Sequence, residues 1–468
     1  MEDPSFDDPG PPIPAPVSRI RRALTVTILL TLVVAMVFLA FVSGRGVVRV
    51  TPQVTPRTTV AAPLLDASRL AIVDAAGRLS TTDALGGSVV RYGEAGTAFS
   101  FPAWSPDGTR IAVVGQGADE TAVHVFAVPK PGLAGADPAI VYRSAERAPF
   151  YLYWSPDSRT LTFLTTEPDG LALRSVAADG GATSQVIRQG SPMYWTWAEP
   201  GRMLVHSGGE GLGAFFGEVD GAGVAVEREA IEPGAFRAPA LTTDGRFRAF
   251  VVPGDGSSER VTVESRDRSI SHAVDVFGAA AIEFGPGTNE LAFIAPAQSG
   301  VELPLPVGPL RLLDAATGNV RTIMAGAVLG FFWSPDGRTI ATLQVAAPGD
   351  DKVAGTGRAT LARADRQPTP TKNRLAAEAG VPLRIAFVNV DSGAVRSRWS
   401  FRVSDTFVAQ VLPYFDQYAL SHRLWSADGA SLALPVVADD GTTQLMVIQA
   451  DGSDARRVAD GVAGFWSP

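Results

Sequence analysis

A short polar phrase recurs along the chain, each time followed by a strand-length apolar run. It reads AWSPDGTRIAVV from Ala103, YWSPDSRTLTFL from Tyr153, FWSPDGRTIATL from Phe332 and LWSADGASLALP from Leu424. Fainter copies fill the gap: TWAEPGRMLVHS from Thr196, ALTTDGRFRAFV from Ala240 and EFGPGTNELAFI from Glu283. With Trp104, Trp154, Trp197, Leu241, Phe284, Trp333 and Trp425 as markers, the steps are 50, 43, 44, 43, 49 and 92 residues. A period of about 40 to 50 residues is that of a propeller-like array. Within the phrase, the large apolar marker ends one strand and packs against the neighbouring repeat. Ser and the acids Asp107, Asp157, Asp336 and Asp428 can bond nearby backbone, Pro sets φ, and Gly supplies a positive φ. Two further strand-like stretches follow each copy, such as 171–177 and 184–188 around Asp179-Gly180-Gly181, or 310–314 and 320–324 around Ala316-Thr317-Gly318. Four antiparallel strands per repeat make one blade, so the expected fold is an all-β propeller.

The Trp-Ser-Pro-Asp-Gly turn followed by a hydrophobic strand resembles the TolB-type propeller repeat over residues 66–468. That resemblance implies the fold and a role outside the cytoplasm in holding other proteins. It carries over no catalytic residue.

The chain stops at Gly464-Phe465-Trp466-Ser467-Pro468, half of the phrase. The head begins near Asp66-Ala67-Ser68-Arg69-Leu70-Ala71-Ile72-Val73, the other half. Joined, they make one copy, so the C-terminal strand is expected to complete the first blade and remove the exposed sheet edges. Counting Trp466 gives eight blades; seven is the alternative if one worn copy falls short. The long step holds an insertion over residues 347–381, expected to be a flexible surface loop or a partner-binding one.

Ahead of the repeats, Ala23 to Val42 is an uncharged apolar run. Its 20 residues match one bilayer core of about 30 Å as a helix. Arg19, Arg21 and Arg22 precede it and Arg45, Arg49 and Arg57 follow it, so flanking charge is weak guidance; the tighter N-terminal cluster favours tail inside and head outside. The run is longer than a signal-peptide core, which favours retention over cleavage. The expected order is a disordered acidic, proline-rich tail (1–22), a transmembrane helix (23–43), an extended linker (44–65) and the propeller (66–468). The protein is therefore expected at the cell membrane, single-pass, with its propeller outside the cytoplasm.

A net charge of −8 argues against nucleic acid as a partner. The absence of cysteine removes disulfides, thiolate metal sites and a cysteine nucleophile. The four histidines, His124, His206, His272 and His422, fall in different repeats and suggest no metal centre. No nucleophile elbow, zinc-protease, P-loop or EF-hand motif occurs, so neither enzymatic activity nor a cofactor is expected.

What remains is the approach to each marker, read as the innermost strand of its blade. Polar and aromatic members there are Arg147, Tyr151, Tyr194 and Glu283. Asp416, Tyr418, His422 and Arg423 form the most polar approach. These eight are the candidate ligand or partner site. The favoured function is a binding scaffold for another envelope protein. The alternatives are a propeller enzyme of lactonase or lyase type, and a ligand sensor; both would use the central channel.

Overall fold

The computed structural model describes residues 68–468, apart from 94–95, 130–136, 212, 229–231, 297–304, 347–381, 405 and 439. The anticipated tail, membrane span and linker, and the insertion, lie outside the described residues. Among the described residues no helix is long and apolar enough to cross a membrane.

The described chain is almost entirely antiparallel sheet. Five four-stranded sheets are separate, and a seven-stranded one is two units spliced through a single strand, Val320–Trp333. A three-stranded sheet, Ser431–Val437, Thr443–Gln449 and Ala455–Asp460, completes the set. The fourth strand there is reduced to a single bridge, Trp425 to Leu432. These eight units correspond to the eight markers and are consistent with an eight-bladed propeller. Each of the three worn copies begins a run of four strands, two in separate sheets and the third within the seven-stranded one.

Apolar packing between successive units holds them together. Ala71, Phe99, Trp104 and Ile111 join the first to the second, and Leu152, Trp154, Val114 and Val125 join the second to the third. Leu173, Trp195 and Met203 pack between the third and fourth, and Phe216, Phe250 and Phe293 run through the fourth to sixth. Leu70, Ile72 and Trp466 meet Ala433, Leu445 and Val447, which ties the eighth to the first. Burying one such side chain is worth about 1.5–3 kcal/mol, so each seam contributes substantially.

The repeat phrase has two physical jobs. First, the serine hydroxyl donates to the aspartate two residues on, at 2.6 Å in Ser105–Asp107, Ser155–Asp157, Ser334–Asp336 and Ser426–Asp428. The same oxygen accepts the backbone N–H five residues on, from Arg110, Thr160, Thr339 and Ser431, at 2.9–3.0 Å. The aspartate accepts the N–H two residues further, which locks the turn. Gly108, Gly337 and Gly429 take φ of 66–69° where glycine is favoured, and Ser158 takes 61° at the same position of its copy.

Second, four of the marker tryptophans latch neighbouring units, whereas Trp197 Nε1 and Trp466 Nε1 are buried without a partner. Trp104 Nε1 donates to the Phe465 carbonyl, Trp154 to Ala103, Trp333 to Glu283 and Trp425 to Phe332, at 3.0–3.3 Å. Every acceptor is the residue just before the preceding unit's marker. The markers are therefore held at one level, and the turns that follow them share one face. We call this the turn face, and the opposite one, where the inner strands begin, the start face.

Closure takes the expected form. Ala463–Trp466 pairs antiparallel with Arg69–Val73, with Leu70 opposite Trp466 and Ala71 opposite Phe465. The split turn re-forms across the break: Arg69 N–H donates to Ser467 Oγ at 3.1 Å, and Ser467 N–H donates to the Arg69 carbonyl at 2.8 Å. In the joined numbering Arg69 is the fifth residue after Ser467, so these are the bonds of an unbroken copy.

Candidate functional site

The inner strand expected before Trp425 is not a strand. Residues Phe407–Val411 form a wide helical turn, Leu412–Tyr414 a tight one and Phe415–Ala419 a short α-helix. This segment sits against the inner strands as a plug. Phe407, Leu412, Phe415, Asp416, Gln417 and Tyr418 are buried, while Ala409, Gln410 and Tyr414 are exposed. Phe415 packs edge-on against Phe331 and Phe332, at ring distances of 5.2 and 5.9 Å. Gly330 leaves room for it, since a Cβ there would stand 3.3 Å from the Phe415 ring.

Gln417 fixes the plug to two inner strands. Its Nε2 donates to Tyr151 Oη at 2.8 Å and to the Trp195 carbonyl at 3.0 Å. Its Oε1 accepts the Trp195 N–H at 3.1 Å. The side-chain amide thus imitates a backbone peptide along the free edge of strand Met193–Glu199. Buried backbone groups there would otherwise lack partners. Tyr151 Oη also donates to the Gln417 carbonyl and accepts from Ser421 Oγ at 3.0 Å. Burial holds the Tyr151 hydroxyl well above the usual phenol range.

Two inner strands bulge to meet the plug. Phe101 and Tyr151 occupy equivalent positions, three before their markers, and carry φ of 54° and 51°. The pairing of each strand skips at that point. Left-handed backbone is costly for bulky residues, so tertiary packing must hold them there. The Phe101 ring stacks on Tyr418 at 6.5 Å, and Tyr151 meets Tyr418 edge-on at 5.2 Å.

Two clefts flank the plug on the start face. One, of about 370 Å³, is lined by residues including Phe99, Phe101, Phe407, Val411, Val462 and Phe465. The other, of about 450 Å³, is lined by residues including Phe150, Leu164, Met193, Tyr194 and Tyr414. Phe101, Gln410 and Tyr418 line both and form the partition. Tyr414 stands 44% exposed at the second, with the Arg237 guanidinium 5.8 Å from its ring. Burial raises Tyr194 to about 12, against the opposing effect of Arg237.

A third cavity, of about 430 Å³, opens on the turn face. Glu283, Pro286, Phe332, Trp333, His422 and Arg423 are among its walls, with Ala419 and Leu420 of the plug. Burial, with the Asp416 charge behind it, raises Glu283 to about 8. Burial also raises Asp416, opposed by Arg237 and by the Ala238 N–H. Burial lowers His422 to about 3, and its Nδ1 lies 2.6 Å from Ser421 Oγ. Burial raises Tyr153 to about 12; its hydroxyl bonds Thr196 and feels both Glu283 and Arg423.

The eight expected residues thus divide. Tyr151, Tyr194 and Tyr418 belong to the start face and the plug, Glu283, His422 and Arg423 to the turn-face cavity, and Asp416 is buried between. Arg147 joins neither: it pairs with Glu167 at 2.9 Å on a half-exposed surface, and Glu167 also holds Arg174 at 2.9 Å. Gln417 escaped sequence reading because a lone glutamine carries no motif. The plug itself had a signal, since Phe407, Val411, Phe415 and Ala419 recur every fourth residue. Among the described residues no three potential metal-binding side chains converge.

No family model matches the chain, and no curated protein matches it. Similar solved structures include a dihydro-haem d1 dehydrogenase, NirN, in complex with DHE. It has 14% identity and a TM-score of 0.49, over 85% of this chain and 74% of that one. They also include an oligogalacturonate lyase in complex with manganese, with 12% identity and a TM-score of 0.39, over 76% of each chain. A putative TolB from Agrobacterium tumefaciens has 17% identity and a TM-score of 0.32, over 58% of this chain and 94% of that one. Likenesses of this size bear on no function, and the resemblance to TolB rests on the repeat phrase itself.

Proposed function

We propose that the protein is a membrane-anchored binding propeller that holds another envelope protein at its start face. The observation that carries this reading is the plug: the chain fills its own channel with residues 407–419 and leaves an aromatic-walled cleft on either side. Aromatic anchors beside preformed apolar clefts are what a protein partner's side chains fill. Exposed Tyr414 supplies a large amphipathic contact at the rim. The apolar run at Ala23–Val42 supports the anchor, with the propeller outside the cytoplasm.

The test places a photo-crosslinking residue at Tyr414 in the full chain, in membranes. A control carries it at Val186, 41% exposed on an outer strand. The expected result is one adduct at position 414 only. That adduct is recovered again when the partner is tagged, and it is lost in a Gln410→Arg variant. Indistinguishable adducts at the two positions, or none, would refute the reading.

A further inference from the structure

The turn-face cavity holds a cation without a counter-ion. Among the described residues lining it, Arg423 carries the one guanidinium, and His422 beside it is held neutral by burial. Its backbone carbonyl is engaged by the Trp466 N–H at 2.8 Å, so its main chain is fixed. Its side chain is exposed to the cavity and makes no hydrogen bond or ion pair among the described residues. Glu283 lines the same cavity but forms no ion pair with it, and Glu283 Oε2 is buried without a hydrogen-bond partner. A guanidinium and a carboxyl whose Oε2 is buried without a partner therefore belong to the walls of one open cavity. Phe332, Trp333, Leu420, Leu424, Pro286 and Pro335 give the same cavity an apolar lining.

We propose that this cavity is a second binding site, on the face opposite the start-face clefts, and that it takes a small organic monocarboxylate with a flat apolar body. The guanidinium fork of Arg423 receives the carboxylate in two parallel hydrogen bonds, a geometry that lysine cannot supply. The apolar body lies against Trp333 and Phe332. Glu283 meets a hydroxyl or carbonyl oxygen at the far end, and it holds its proton near neutral pH because burial raises it. His422, which also lines this space, is neutral there, because burial lowers it. A dianion such as phosphate is disfavoured, because the single guanidinium of Arg423 balances one negative charge and a protonated Glu283 supplies no second cation.

Phenylacetate is a suitable probe and phenylacetamide its neutral counterpart. Titration calorimetry on the full chain at neutral pH should give saturable phenylacetate binding, with a Kd of about 1–10 mM, in line with the efficiency of a ligand this size. Phenylacetamide should bind at least about tenfold more weakly. Arg423→Gln should remove that preference and bring the two probes level. Arg423→Lys, which keeps the charge without the fork, should retain part of it. The Arg423 guanidinium has no hydrogen bond or ion pair to lose among the described residues, so the unfolding midpoint of both variants should stay close to the parent's. If Arg423→Gln lowers the midpoint, the Lys variant alone decides. No saturable binding of phenylacetate, an equal affinity for the amide, or an Arg423→Gln variant that still prefers the acid would each overturn the proposal. Crosslinking at Tyr414 reads the opposite face, so either result can fail while the other stands.

Discussion

Removing Ala463–Pro468 should prevent the propeller from closing. The deletion strips a four-residue pairing from Arg69–Val73 and takes away Trp466 and Phe465, which are 1% and 6% exposed. Truncating a buried Phe or Trp typically costs about 3–5 kcal/mol, so the two together remove about 6–10 kcal/mol. The Trp104 indole also loses its acceptor, the Phe465 carbonyl, which adds about 1–3 kcal/mol for a stranded donor. The total is comparable with the whole net stability of a folded protein, about 5–15 kcal/mol. What remains would expose the edge of Arg69–Val73, an invitation to self-association. A graded version is Ser467→Ala, which removes one hydrogen bond of the split turn and should cost about 1 kcal/mol. A third construction joins Pro468 directly to Asp66 and opens the chain between the exposed residues Ala145 and Glu146. If the split phrase is one turn cut in two, this permuted propeller should fold. Urea unfolding followed by tryptophan fluorescence, with size-exclusion chromatography, reads all three. A truncated protein that stays monomeric with the parent's midpoint would refute the reasoning, as would a permuted chain that fails to fold.

Two other outcomes follow from the channel. Glu283 is raised from 4.5 to about 8 in the folded protein, so the folded state holds its proton more tightly than the unfolded one. Its contribution to stability is complete below pH 4.5 and declines as pH rises to about 8; over that window wild type should lose about 3–5 kcal/mol relative to Glu283→Gln in urea titrations at stepped pH. Parallel pH curves for the two proteins would remove this account. Gln417→Ala should cost about 2–4 kcal/mol, because Trp195 would lose both a donor and an acceptor in a buried place. It should also raise amide hydrogen exchange across residues 407–419, and unchanged exchange there would show that Gln417 does not hold the plug.

The repeat was legible because its chemistry is local. Ser105 and Asp107 satisfy one turn within six residues, so the phrase can be read without knowing what surrounds it. Closure was legible for the same reason, since the two halves of the phrase complete each other. The tryptophan latch was only half legible. That Trp154 packs on its neighbour follows from its size, but its bond to the Ala103 carbonyl depends on how two units meet. The plug was misread because Asp416, Tyr418, His422 and Arg423 stand where seven other units keep an inner strand before the marker. Position in the repeat outweighed the four-residue apolar spacing. The division of the candidate residues between two faces could not be read at all. Tyr194 and Glu283 both approach a marker, three residues and one residue before it. A strand's two ends face opposite mouths of the same channel.

The strand Val320–Trp333 ends one unit and begins the next without a loop between them. Elsewhere a connecting loop lets one sheet tilt against its neighbour. Here a shared spar runs through both, paired with Gly308–Asp314 on one side and Thr339–Val345 on the other. Strain applied to either sheet is transmitted along the backbone itself, so the sixth and seventh units should behave as one stiff plate in an otherwise jointed ring. Phe331 and Phe332, which receive Phe415, lie on that plate. Phe415 of the plug therefore packs on a strand that belongs to both sheets at once.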